Sequence, residues 1–285
     1  MKTNRARKIS ERAFNKLIEA VEAGKSDKLI DYLKVMGRFH RYSAMNSILI
    51  GFQFPEATHV AGFHTWRKLG RTVKAGSKGI AIMAPIVWRR KTAKAEEDEK
   101  SEEQAATFFK TVYIFDVSQT EGKPLPEFAR VRGDPADYTH RLEEFISEQG
   151  IKLEYSEKIG SAEGVSCGGM IKVKKGLTAP ETFSVLVHEL SHELLHRDKD
   201  KIGSNRNVRE TEAEAVAFVV CQGIGLDVGS SGSDYIQLYD GDKKMLLESL
   251  ERIQRTAAEI LAVIMADNNS RTETSMKESF ASVAA

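Results

Sequence analysis

Cysteine is nearly absent: Cys167 and Cys221 are the two in 285 residues, and they form no C-x-x-C arrangement. That excludes a disulfide framework and a cysteine-rich metal site, and it suits a reducing compartment. Any metal must then rest on His and carboxylate ligands. Long apolar runs are missing too. No stretch approaches the roughly eighteen uninterrupted apolar residues of a membrane span. The basic opening MKTNRARK leads into a charged helical pattern instead of an apolar leader. The expected location is the cytoplasm. Internal repeats are also lacking, which excludes solenoid and propeller architectures.

What is present is a 41% hydrophobic content, enough for the core of one large domain or two ordinary ones. The net charge of +1 hides a division. Residues 1–91 carry 19 Lys+Arg against 6 Asp+Glu (+13), leaving 23 against 35 (−12) for residues 92–285. A front half this basic points to a polyanionic partner, because cations placed on phosphates release condensed counterions. Charge alone would equally describe a solvated surface.

Apolar residues at helical spacing predict helices over 7–23 (Ala13, Phe14, Leu17, Ile18, Val21) and 27–40 (Leu29, Ile30, Leu33, Met36), with Asp27 capping the second. From Asn46 to Trp88 short apolar pieces are punctuated by glycine. Ile80–Val87 and Phe108–Phe115 read as strands that pair across a flexible charged loop at 92–106. Residues 126–136 are the linker, inside a segment holding Pro124, Pro126, Gly133 and Pro135. Beyond it come a helix near 137–149, strands at 151–155 and 170–173, and helices to about 264. The Ser, Thr and Ala-rich tail, 268–285, is expected to be disordered. The organisation is α+β: a basic domain over 1–125 and a second domain over 137–267 with a short sheet and several helices.

The sharpest motif is TAPETFSVLVHELSHELLH, residues 178–196. Thr178 and Glu181 form a capping box with Pro180 in the first turn, so a helix starts there and runs through H-E-x-x-H. His188 and His192, four apart, project from one face and can hold one metal ion, and Glu189 can reach its bound water. Zinc lowers the pKa of that water and the carboxylate takes its proton, the chemistry of hydrolysis; manganese is the alternative metal. With seven His in the chain, a chance H-E-x-x-H is rare.

A third ligand is required. In RETEAEAVAFVV, residues 209–220, Glu210 and Glu214 share a helical face while Glu212 points away. Glu210 is expected to ligate and Glu214 to orient a ligand imidazole through its other nitrogen. His196 lies about 12 Å along the helix from His188, too far for the same ion, and reads as a helix-end or supporting histidine. Residues Cys167–Val173 are expected to supply an edge strand for extended substrate, and Tyr235 a donor for the developing oxyanion.

In the front half basic and aromatic residues interleave: Arg38, Arg41 and Tyr42, then Trp66, Lys68, Arg71, Lys74 and Lys78. Unpaired bases stack on aromatic faces while cations follow phosphates, so this pattern suits single-stranded DNA. Trp66 and Tyr42 are expected at the surface, and Phe39, Phe52, Phe54 and Phe63 in the core.

Taken together, YSAMNSILI, ATHVAGFHTWRKLGRTVKAGSKGIAIMAPI, VYIFDVSQTEGKPLP, HELSHELLH and ETEAEAVAFVVCQGIGLD resemble the ArdC family of antirestriction proteins over about residues 30–240. The resemblance implies a single-stranded-DNA-binding N-terminal domain joined to a zincin-like, gluzincin-type metallopeptidase domain. It further implies a mobile-element protein that protects incoming DNA from host restriction. The rear half also resembles the ImmA/IrrE regulatory peptidases, whose E-x-x-x-D/N pattern falls on Glu210 and Glu214, with Glu here in place of Asp or Asn. Two other readings remain: a protease acting on a protein such as a repressor or restriction component, and a DNA shield whose metal is only structural.

Overall fold

The computed structural model describes residues 4–88, 106–124, 135–160, 162–197, 206–226, 238 and 242–266. The chain forms two compact units. One comprises Met1–Glu19 and Met45–Glu127, the other Ala20–Ala44 and Phe128–Ala285. The architecture is α+β in both. No helix among the described residues is long and apolar enough to cross a membrane.

In the front unit α1 (Asn4–Glu22) buries Ala13, Leu17 and Ile18. α3 (Ala44–Gln53) follows, then β1 (Val60–Gly62), α4 (Phe63–Lys68), β2 (Arg71–Val73), β3 (Ile80–Trp88), β4 (Ala106–Asp116) and β5 (Thr120–Gly122). β3 and β4 pair antiparallel from Ile80 opposite Ile114 to Trp88 opposite Ala106, the partnership expected from their alternating pattern. β1 lies on the other side of β4, giving the order β1-β4-β3, and β2 pairs separately with β5.

The outer edge of β3 is closed by side chains. Asn46 exchanges two hydrogen bonds with the backbone of Met83, both 2.9 Å, and Gln53 exchanges two with that of Ala81, 2.8 and 3.0 Å. Two carboxamides seven residues apart on α3 thus occupy places a further strand would take. Buried Asp116 gathers the backbone N–H groups of Thr58, His59 and Ser118 at 2.7, 3.1 and 2.9 Å. These hydrogen bonds outweigh the upward push of burial and hold its carboxyl below the usual value.

The rear unit contains α2 (Ser26–Arg38), α5 (Ala136–Glu148), β6 (Lys152–Ser156), β7 (Gly164–Ser166), β8 (Met170–Lys174), α6 (Ala179–His196), α7 (Arg206–Ile224) and α8 (Lys243–Ile264). α2 joins this unit by packing on α7. At their contact, a Cβ on Gly37 would sit 2.8 Å from the Val219 carbonyl, and one on Gly223 would meet Leu261 at 2.8 Å. Small residues set the spacing of three helices there. Asp27 does not cap α2; it lies inside the first turn, where its charge complements the helix dipole. α7 is buried on nearly every side, with Ala213, Ala215, Val216, Val219 and Cys221 inaccessible. Burial pushes the Cys221 thiol up to about 12.

The sheet of this unit has the order β6-β8-β7, with β6 parallel and β7 antiparallel to β8. The expected loop at 92–106 and linker at 126–136 fall almost wholly outside the described residues, with Ala136 already opening α5, and the tail at 268–285 lies entirely outside them.

Candidate functional site

α6 begins as its sequence dictates. The Thr178 side chain accepts from Glu181 N, and the Glu181 carboxylate accepts from Thr178 N at 2.8 Å, with Pro180 in the first turn. The helix runs unbroken through His188, Glu189 and His192. α7 lies against it and brings its carboxylates to the same place. His188 Nε2 and His192 Nε2 are 3.1 Å apart, and Glu210 Oε2 lies 3.8 and 3.4 Å from them. One ligand atom from each of the three falls within 4.8 Å of the others.

Glu214 takes the opposite nitrogen of His188: its Oε2 lies 3.4 Å from Nδ1. Burial would lower the His188 pKa, but the Glu214 hydrogen bond and the charges of Glu189, Glu214 and Glu210 raise it instead. The donor set is therefore two imidazoles and one carboxylate, negatively charged overall and converging on one point. Ligands about 2.0–2.1 Å from a tetrahedral ion stand roughly 3.3 Å apart. The three observed separations bracket that value, so the residues fit a small divalent cation.

Glu189 is 7% exposed and packs against the rear sheet. Its carboxyl is raised above the usual value by burial first, with Glu210 and Glu193 adding, against the opposing charge of His188 and the hydrogen bond from the Ser166 backbone N–H. Gly164 makes this approach possible. A Cβ there would lie 2.6 Å from Val185 Cγ1 and 2.7 Å from Glu189 Oε1. The strand at the sheet edge is β7, not the Cys167–Val173 segment expected from sequence. Met170–Lys174 is the central strand, because β6 pairs on its other side.

Glu193, which sequence reasoning passed over, fixes that edge. Its buried carboxylate accepts from Ser166 Oγ at 2.6 Å and from the N–H groups of Gly168 and Gly169 at 2.8 and 2.7 Å. The available signal was a second acidic residue directly after a metal-type histidine, on a helix too apolar to carry it exposed. His196 is buried beside Glu212 and outside the His188–His192–Glu210 group, its ring centroid 5.8 Å from that of His192. Burial, with the His192 and Arg209 charges, lowers its pKa to about 4. Tyr235 lies outside the described residues.

The expected DNA contacts are divided between the two units. Arg38, Arg41 and Tyr42 belong to the rear unit, where Tyr42 is half-buried and edge-on to Phe39 with ring centroids 6.2 Å apart. Trp66, Lys68, Arg71, Lys74 and Lys78 belong to the front unit. Trp66 corrects the sequence reading: it is 2% exposed, and its indole N–H donates to the Phe115 carbonyl at 2.9 Å. Flanking cations do not expose a ring whose helix packs by that face.

Arg71 is engaged as well, bonding Thr120 Oγ1 at 2.8 Å, the Thr120 carbonyl at 3.2 Å and the Lys123 carbonyl, so it ties β2 to β5. Lys68, Lys74 and Lys78 are exposed, with Lys74 Nζ donating to the Ser118 carbonyl at 3.0 Å. Among the phenylalanines expected inside, Phe39 is buried, whereas Phe52 and Phe63 are exposed.

Residues 7–115 match the model of the N-terminal domain of anti-restriction factor ArdC. A Bacillus anthracis protein described as uncharacterized is 24% identical over 281 residues, 84% of this chain and 48% of its own length, so the chain spans about half of that curated relative. The metal-free crystal structure of antirestriction ArdC from plasmid R388 is 17% identical, with a TM-score of 0.55 over 90% of this chain and 97% of that one. Its Mn(II)-bound structure is 18% identical, with the same score over 91% and 98%. The N-terminal domain match over residues 7–115 and the shared fold make this chain similar to the ArdC antirestriction proteins.

Proposed function

We propose that the chain is an antirestriction protein of a mobile element. In this reading its front unit binds single-stranded DNA and its rear unit is a metal-dependent, zincin-like peptidase. The observation that carries the second half is the convergence of His188, His192 and Glu210, with Glu214 on the far nitrogen of His188. An Mn(II)-bound structure exists for ArdC of plasmid R388, and divalent metal is assigned here on that likeness and on the donor set. Zinc is the metal proposed, because two imidazoles and one carboxylate with open positions suit it. When bound, it would act as a Lewis acid and lower the pKa of a coordinated water.

The chain's own residues do the rest. Glu214 would hold the His188 proton on Nδ1, leaving Nε2 to donate its lone pair. Glu189, buried and with a raised pKa, would accept the proton of the attacking water and pass it on to the leaving amine. Glu193 would keep the Ser166–Gly169 turn closed, so that β7 presents a fixed backbone edge beside Glu189. The proposed substrate is therefore an extended peptide segment of a protein, such as a restriction component or a repressor.

Elemental analysis tests the metal. His188→Ala with His192→Ala should remove it entirely, and Glu210→Ala should weaken binding more than Glu214→Ala. Full retention by the double variant would overturn the assignment. A restriction-protection assay with Glu189→Ala then separates hydrolysis from shielding: lost protection with metal retained is expected. Unchanged protection would mean that the front unit protects DNA without cleavage.

A further inference from the structure

With Trp66 inside the core, the basic front unit needs another surface if it stacks bases. Two of its rings meet the requirement. Phe109 and Tyr113 are 57% and 45% exposed and stand four residues apart on β4, so both project from one face of the strand. The alternate positions Ile114 and Asp116 are buried, which makes the Phe109–Tyr113 face the outer one. At Phe109 and Tyr113 β4 is paired with β3, opposite Pro85 and Ala81, while β1 reaches only Ile114–Asp116.

Four residues of strand separate them by about 13 Å, far enough to receive different bases of one chain. Thr111, between them, is held by the Ala6 N–H at 3.3 Å, and the Arg5 guanidinium lies 6.0 Å from the Tyr113 ring centroid. Phe52, also exposed, belongs to α3, with Lys16 Nζ 5.5 Å from its ring centroid.

The charge of the unit as a whole suits a polyanion: residues 1–19 and 45–127 carry 18 Lys+Arg against 12 Asp+Glu. Aromatic rings on a sheet, set among cations, hold unpaired bases by their π faces while the cations follow the phosphates. A duplex keeps its base faces inside and cannot use them. We propose that the outer face of β4, with Phe109, Tyr113 and Arg5, is the base-stacking platform for an unpaired polynucleotide. This rests on the single-strand-binding reading above and names its place.

The test uses the full chain and a fluorescently labelled oligothymidine, titrated over a range of moderate salt. Phe109→Leu with Tyr113→Leu keeps apolar bulk and removes the π faces. It should lower affinity by about tenfold or more, with the salt slope unchanged, since stacking releases few ions. Tyr113→Phe alone should bind like the native chain. Combined Lys74→Ala and Lys78→Ala should instead flatten the slope.

Native binding with an equally tight double Leu variant overturns the platform and leaves the single-strand reading standing. No binding by the native chain overturns that reading itself. A native dimer in sedimentation that the double Leu variant abolishes would assign the face to a second copy and also overturn the platform.

Discussion

Glu212 sits between Glu210 and Glu214 in sequence and does a different task. Two residues from each along a helix, it points away from their face, as the periodicity requires. It is fully buried and bonds Arg252 through Nε at 3.1 Å and through Nη2, while its other oxygen lies 3.5 Å from His196 Nε2. Arg252 also reaches Ser249 Oγ at 2.9 Å. A carboxylate on α7 thus joins α6 to α8 behind the His188–His192–Glu210 cluster. Removing one partner of such a cluster strands the other charge, at a cost of about 3–5 kcal/mol. Glu212→Ala should therefore lower the denaturant midpoint sharply, and Glu212→Gln less, because the amide oxygen can still accept from Arg252. Equal, small effects for both would show that the cluster contributes little. That Glu212 faces away was legible from spacing; that it is buried was not, because its cation lies forty residues downstream.

Elements whose apolar residues keep a single period were readable, and elements buried all round were not. α1 and α2 carry one apolar stripe each and fall within a few residues of their expected spans, as do β3 and β4 with their alternation. α3, AMNSILIGFQ, shows no such stripe, since it is covered on one side by core and spends Asn46 and Gln53 on the edge of β3. β1, β2, β5 and β7 are three residues each, too short to register a period. The metal-type cluster was legible because two helices bearing residues at four-residue spacing need only face one another. The role of Glu193 was not, since it depends on a turn folded from a distant strand.

The α3 arrangement predicts a double effect. Asn46→Ala with Gln53→Ala should cost roughly 2–4 kcal/mol, about 1 kcal/mol for each hydrogen bond lost. It also leaves β3 with an open edge, so concentration-dependent association should accompany the lower Tm. A variant that is destabilised but strictly monomeric would mean that the edge is covered by other means.

At the scale of the whole chain, the two units are not sequential. The composition shift and the proline-bearing segment 121–136 place a boundary after residue 125, yet Ala20–Ala44 belongs with the rear unit. α2 leaves the basic half in sequence and joins the acidic half in space, because its apolar stripe and Gly37 complement α7. Charge patterning could not reveal this, since Lys28, Lys34 and Arg38 on α2 are basic like their sequence neighbours. Leu29, Leu33 and Met36 are all fully buried. Each contributes about 1.5–3 kcal/mol by leaving water, and together they rival the 5–15 kcal/mol that holds an ordinary domain folded. A fragment of residues 126–285 should therefore fold poorly, binding hydrophobic dye and degrading quickly in limited proteolysis. Adding a peptide of residues 20–44 should restore protease resistance and sharpen the thermal transition, and Leu29→Asp in that peptide should abolish the rescue. A fragment 126–285 that already melts cooperatively, with no response to the peptide, would show that α2 is dispensable to the rear unit.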